Sequence, residues 1–535
     1  MTDRKTVASL QRSAIRGSFA SVAAALITFP VAVVSTIVVA RALGPAPFGR
    51  LALLALLTGT VLPLLDLGFQ ASFMQWAAAA EAAGDHAKTA LLMRQRFGWV
   101  LLSQALPMIA VGPLVLHREA VWVQLAYVLA TASSLTFAGT SLSLVVQNRT
   151  ASAAAVNGIS SLGASLAAIF AALLSHSASI VWVSRMLPGL LLVPVWFRLT
   201  DPRLRTSVFR PSWPRRLPSG YWRFALLTWV AVGTGTLVFS RSEAFVMQLY
   251  GQTTALGLFA LAYGLSSQMT GPLDVLLSPL TPAMAAVAAV DFKRTVAAML
   301  RSTRFFALVA GGLTAIVPAI AALVPLIYGD PYREAASLLL PLAAVSTFQS
   351  TSNALSLSTY ARRDGKTLAI AHSAALVVDL TLAFALIPVI HAWGAVTANA
   401  ASQVVAIGYL LRRELVVSRL SPLDMLLTAR AWACGLVAAI IALAVSQVLP
   451  GSDLVRAAVL LFAGAASYVL LLRLAGGALE DGDHEALAGA LPGWIAGVFL
   501  LTRKFVGVRP ASALGSPLDE EAMTAPARAE GGLWE

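Results

Sequence analysis

Apolar stretches of about twenty residues recur along this 535-residue chain. Each is long enough to cross the ~30 Å hydrocarbon core of a bilayer as a helix. Fourteen fall near residues 17–40, 50–72, 97–116, 120–147, 151–174, 178–197, 224–249, 255–280, 305–328, 335–360, 368–390, 394–411, 427–449 and 453–473. The runs are continuous and do not alternate in short segments, which argues against a β-barrel. With 58% hydrophobic and only 12% charged residues, a soluble globule would have nowhere to hide its apolar surface. The expected fold class is all-α integral membrane. The basic start (Arg4, Lys5, Arg12, Arg16) leads into more than twenty apolar or small residues. That is too long for a secretory signal core, so an uncleaved first span is expected.

The formal charge is +13. In a membrane chain the informative question is which side holds the positive residues. With the N-terminus inside, 31 of the 38 Lys and Arg fall on the cytoplasmic side and five on the other: Arg41, Arg50, Arg118, Arg333 and Arg456. Arg185 and Arg241 lie inside spans. The charge therefore reads as topology, not as a nucleic-acid footprint. It predicts a multi-pass membrane protein with both termini cytoplasmic. The lone Cys434 permits no intrachain disulfide and no Cys/His metal cluster, and no cofactor is expected.

Outer loops are short, leaving no outside domain. The expected organisation is an N-terminal lobe (1–198), a basic Arg/Pro-rich linker (199–223), a C-terminal lobe (224–411), two further spans (412–474) and a cytoplasmic tail (475–535). The tail carries an apolar stretch at 487–501, read as an interfacial helix, and a Pro/Ala/Glu-rich end read as disordered. The two lobes share an internal repeat. Leu43-Gly44-Pro45-Ala46-Pro47-Phe48-Gly49 precedes Asp66, and Tyr250-Gly251 through Gly257-Leu258-Phe259 precedes Asp274. Gly49 and Gly257 differ by 208 positions, as do Asp66 and Asp274. Arg118-Glu119-Ala120 and Arg333-Glu334-Ala335 also recur. Six spans separate the copies, so the lobes run parallel, an arrangement of secondary transporters whose substrate site lies between halves.

These residues carry a family resemblance. Ala40-Arg41-Ala42-Leu43-Gly44-Pro45-x-x-Phe48-Gly49, then Asp66-Leu67-Gly68, resembles the polysaccharide transport family, the lipid-linked oligosaccharide flippases of the multidrug/oligosaccharidyl-lipid/polysaccharide (MOP, MATE-like) exporter superfamily. Leu256-Gly257-Leu258-Phe259-Ala260-Leu261-Ala262-Tyr263, Tyr328-Gly329-x-x-Tyr332-x-x-Ala335-Ala336 and Gly394-Ala395-Val396-Thr397-Ala398 continue it. The match covers roughly residues 10–415. The family commonly has an Asp in the seventh span, where Glu243 is the nearest acid here. The resemblance implies two parallel six-helix lobes plus two extra C-terminal helices. It also implies movement of a polyprenyl-diphosphate-linked oligosaccharide (exopolysaccharide, O-antigen or capsule repeat unit) from the inner to the outer leaflet. Membrane lipid, a polysaccharide polymerase and chain-length machinery are the implied partners, and no enzyme activity is implied.

An ionisable group at mid-bilayer costs about 2.5–3.5 kcal/mol on insertion scales and usually faces a cavity or partner. Arg241 and Glu243 sit two apart in the seventh span and point about 200° apart on a helix. Arg241 is the expected anion contact, since guanidinium matches diphosphate oxygens, or else it pairs with an acid on a neighbouring helix. Glu243, Arg185 and Asn157 complete the expected cavity set. Gln75 and Gln147, with Asn157, are read as sugar contacts or as interhelical hydrogen bonds. Asp66 and Asp274 read as a symmetric gate or ion-coupling pair, or as local caps. Asp379, near the middle of the eleventh span, reads as a proton or sodium site, and His372 as interfacial. Pro63 and Pro272, beside the repeated aspartates, mark spans two and eight as movable.

Two other functions compete. A membrane-embedded enzyme of polysaccharide synthesis needs an extended loop for its acid/base groups, and the loops here are short. Asp481-x-Asp483 resembles a metal-nucleotide element but lacks a βαβ context. A multidrug/cation antiporter of the same superfamily predicts twelve spans without the hairpin motifs.

Overall fold

The computed structural model describes residues 27–277 and 292–480, apart from Arg118, Asn148, Phe209, Ser240, Arg241, Arg363 and 448–451, together with Ala24 and Val508–Arg509. The expected interfacial helix at 487–501, the Asp481-x-Asp483 element, the chain's end and the basic start lie outside the described residues.

Among the described residues, helices lie within each of the fourteen expected stretches. The first lobe comprises α1 (Ile27–Leu43), α2 (Pro45–Leu56), α3 (Leu62–Leu65), α4 (Phe69–Ala82), α5 (His86–Val100), α6 (Leu106–Val115), α7 (Val121–Val146), α8 (Thr150–Ser175) and α9 (Ala178–Leu199). A short α10 (Pro202–Val208) follows. The second lobe comprises α11 (Tyr221–Phe239), α12 (Ser242–Leu249), α13 (Thr253–Leu277), α14 (Phe292–Tyr328), α15 (Arg333–Ala361), α16 (Gly365–Ile390) and α17 (Ala392–Ser418). The added pair is α18 (Pro422–Ser446) and α19 (Asp453–Leu474). Among the described residues, seven helices are long and apolar enough to cross a membrane by length and composition, and α11 with α12 passes as an eighth, bent by 56°.

Three expected spans are interrupted. The second, expected to be continuous over 50–72, ends at Leu65. Leu67 and Gly68 take positive φ (51° and 72°) before α4 begins. Gly68 is required there, because a Cβ would overlap the Ala225 carbonyl of α11. π-helical turns at Leu57–Val61 and Leu101–Ala105 widen spans two and three. Pro63 and Pro107 lie just beyond them. A proline has no N–H for the carbonyl four residues back, and a π-turn accommodates that loss. The third interruption is the α11–α12 bend. α5 starts at His86, well before the expected residue 97, because Asp85 caps it: its Oδ1 accepts from the Lys88 amide at 2.9 Å.

The two added helices are fixed to α14 by small residues. A Cβ on Gly311 would overlap the Ala431 carbonyl, one on Gly435 the Gly311 carbonyl, and one on Gly464 the Ala315 carbonyl. Such close backbone approach is how helices associate without a hydrophobic driving force. Tyr468 also donates to the Leu308 carbonyl at 2.6 Å.

The lobes meet at their arginine-poor end. There α2 and α13 touch through Gly49 and Gly257, Tyr332 Oη donates to the Ala40 carbonyl (2.9 Å), and Arg41 to the Leu326 carbonyl (2.8 Å). At the arginine-rich end the first half of α11 joins the first lobe. Trp229 donates to the Leu64 carbonyl (2.8 Å), and Tyr221 Oη to the Phe69 carbonyl (3.0 Å). The rest of α11 packs on α16 of the second lobe.

Candidate functional site

The bend in the seventh span starts a new helix at Ser242, so Ser242 and Glu243 occupy the first turn of α12. Discontinuous spans of this kind often present their new termini to a buried polar site. Glu243 is fully buried, and so is Asp379 on α16. Ser242 Oγ donates to Asp379 Oδ2. Asn399 and Ser402 of α17, three residues apart and therefore on one helix face, stand against the two carboxyls. Both Glu243 oxygens, Asp379 Oδ1 and Asn399 Nδ2 are buried with no hydrogen-bond partner among the described residues. A buried carboxylate left uncompensated is expensive, so a compact set of acid oxygens with a hydroxyl and an amide beside it has the chemistry to take a proton or a small cation.

Asp66 builds a second centre, at the arginine-rich end. Its Oδ2 accepts from the Gln70 amide (2.7 Å) and so caps α4, and its Oδ1 accepts from Gln104 (3.0 Å). Its carbonyl accepts from Trp99 Nε1 (2.9 Å). Buried Arg96 donates to Gln70 Oε1 at 3.0 Å and lies 5.5 Å over the Phe73 ring. Phe69, Trp76, Trp99, Tyr221 and Trp222 pack ring to ring around this junction. Asp66 thus joins spans two and three where the chain turns into α4. Asp274 lies three residues before the end of α13.

The expected cavity set divides between the lobes. Arg185 is half-buried on α9, about 10 Å from the start of that helix at 1.5 Å per residue, and Asn157 is exposed on α8. Glu243, expected beside them, stands instead with Asp379 in the second lobe. Arg241 lies outside the described residues. His372, expected at the interface, is buried against Gly235, where a Cβ would come 2.8 Å from its Nδ1. Gln75 is exposed and Gln147 half-buried. The sequence reading missed Ser242, Asn399 and Ser402. The available signal was the run Asn399, Ser402, Gln403, which places three polar groups on one face of a helix whose residues 392–411 carry no charge.

Two lobes of parallel spans that touch at one end make a fold of the MATE type. Solved structures of that fold are similar to this chain. One is an inward-facing multidrug resistance MATE family transporter of the MOP superfamily (TM-score 0.54, 14% identity, 74% of this chain and 96% of that one). Another is a MATE in complex with MaL6 (TM-score 0.52, 14% identity, 77% and 98%). A third, from Pyrococcus furiosus, is described as a MOP superfamily transporter whose reverse binding-pocket polarity suggests a different function (TM-score 0.50, 14% identity, 76% and 97%). No curated protein matches. The family described as polysaccharide biosynthesis protein matches residues 38–337, more than half of the chain, and the chain belongs to that family.

Proposed function

We propose that this chain is a flippase. It carries a lipid-diphosphate-linked oligosaccharide from the inner to the outer leaflet by alternating access. The observation that carries the reading is the contact of Gly49 with Gly257, which closes the lobes against each other at one end in a member of the polysaccharide biosynthesis family. By the positive-inside rule the closed end faces outward and the arginine-rich end faces the cytoplasm. The head group enters between the lobes while the polyprenyl tail stays in the bilayer. Arg241 and Arg185 neutralise its diphosphate, since guanidinium binds such oxygens in a forked geometry. Glu243 and Asp379 take the coupling proton or sodium ion, and Asp66 and Asp274 belong to the inner gate.

The test is deletion of the gene followed by reconstitution of the full chain in vesicles. Deletion leaves a polyprenyl-diphosphate glycan on the inner leaflet, and the reconstituted chain exposes that lipid to an impermeant reagent on the opposite face. No accumulation and no movement would sink the proposal. Multidrug antiport is the second reading, favoured by the buried acid pair. It predicts instead a deletion strain that is sensitive to cationic drugs and makes normal polysaccharide.

A further inference from the structure

Ten of the fourteen residues from Ser346 to Thr359 on α15 carry a hydroxyl or an amide. No Asp, Glu, Lys, Arg or His occurs between Glu334 and Arg362. One face of this helix is internally satisfied. Thr347 bonds Thr314 Oγ1 (2.8 Å) and receives Trp432 Nε1 (3.1 Å), while Thr351, Ser358 and Thr359 donate to carbonyls of their own helix.

A second polar face runs beside it. Ser346, Gln349, Asn353 and Ser356 follow at intervals of three, four and three, the spacing of a single stripe about 15 Å long. All four are half-buried. Among described side chains from Leu338 to Thr359, none is exposed. On α16, by contrast, Ile370, Val377 and Phe384 are exposed, as a lipid-facing helix requires. The stripe therefore opens to the inside of the bundle. Beside it, Gln403 of α17 is buried and donates to Gln349 Oε1 at 3.4 Å, and its own Oε1 has no partner among the described residues. That is a buried amide carbonyl at the edge of an uncharged polar face.

We infer that Ser346, Gln349, Asn353 and Ser356, with Gln403, form a binding stripe for the neutral hydroxyl and acetamido groups of a glycan. The inference rests on the flippase reading and adds to it a division of labour. Amides and hydroxyls in a low-dielectric site discriminate sugars by direct hydrogen bonds, since a missing partner leaves a buried polar group unpaired. No cationic side chain lies along the stripe, so the charge of the diphosphate is neutralised elsewhere.

The test uses the lipid-linked glycan that accumulates in the deletion strain, extracted and reconstituted in vesicles with the full chain. For the paired change Gln349→Leu and Asn353→Leu, the KM for this lipid rises at least tenfold. Gln349→Asn retains an amide and stays within a few fold of the unchanged chain. Ser358→Ala, on the satisfied face, leaves KM unaltered. A second measurement does not depend on how the leucine variant folds: the free oligosaccharide, released from its lipid by mild acid, competes with transport by the unchanged chain. An unchanged KM in the folded leucine variant, or no competition by the free glycan, overturns the stripe and leaves the flippase reading standing. If the unchanged chain moves no lipid-linked glycan, the flippase reading fails and the stripe fails with it.

Discussion

Gly49 and Gly257 lie against each other across the boundary between the lobes, and they occupy the same place in the two repeats. A Cβ on Gly49 would overlap the Thr253 carbonyl and stand 2.8 Å from the Gly257 amide nitrogen. A Cβ on Gly257 would overlap the Pro45 carbonyl and stand 3.2 Å from the Gly49 nitrogen. Pro45 and Thr253 are themselves 208 positions apart. The contact is reciprocal, as at the axis of a symmetric dimer, so the axis relating the repeats passes between α2 and α13.

This contact holds only while position 257 lacks a side chain. Gly257→Val wedges the two helices apart where they have no room to shift. Overpacking of this kind costs about 1–3 kcal/mol, and opening that end relieves it. We expect the equilibrium to move toward the open form by roughly 5- to 150-fold. Spin labels on Pro47→Cys and Thr254→Cys in a Cys434→Ser background would report a longer distance. An unchanged distance distribution with normal transport would show that the contact does not gate.

The carboxyls of Glu243 and Asp379 share one buried site, so replacing either alters what the site can hold. Asp379→Asn keeps the size and removes a charge. Transport driven by a proton or sodium gradient is expected to fall at least tenfold, while downhill exchange continues. Thermal stability in detergent should hold or rise, because an uncompensated buried acid is removed. Equal dependence on both gradients before and after the change would remove the pair from coupling.

Asp66 caps α4 and accepts from Gln104 beside buried Arg96. Asp66→Ala loses the cap, worth about 0.5–2 kcal/mol, and strips Arg96 of its nearest acid. Asp66→Asn retains an acceptor for the Gln70 amide. The alanine variant should melt several degrees lower, with asparagine in between. Near-normal stability in both, combined with loss of transport, would favour a gate role over a structural one.

The two-lobed fold was legible because the bilayer demands long apolar helices, and because the repeat kept Gly49 and Gly257 in register. The breaks were not legible. Asp66-Leu67-Gly68 reads as a continuation of an apolar span until Gly68 is seen against the Ala225 carbonyl. The bend before Ser242 likewise depends on what α16 and α17 present to it. Asp379 was legible as an acid in mid-span. Its partnership with Glu243 was not, because pairing between helices 136 residues apart in sequence leaves no local pattern. The neutral stripe on α15 carries no charge to attract notice, and it stands out only once exposure separates its two polar faces.

A buried ion pair at the end of α17 gives the last test. Glu414 is fully buried, and Arg362 grips both its oxygens, Nη1 reaching Oε2 at 3.0 Å and Nη2 reaching Oε1. Thr359 and Ser418 each add a hydrogen bond at 3.2 Å. Removing one partner of such a pair leaves a charge or its acceptors stranded and typically costs about 3–5 kcal/mol, whereas replacing both with packed apolar groups is often neutral. Arg362→Met should therefore lower the melting temperature strongly, and Glu414→Leu should do the same. The double variant should recover most of the loss. This pattern, read by thermal unfolding in detergent, marks the pair as a clamp between α15 and α17. If the double variant is as unstable as the sum of the singles, the surrounding hydroxyls and not the ion pair hold that end of the second lobe together.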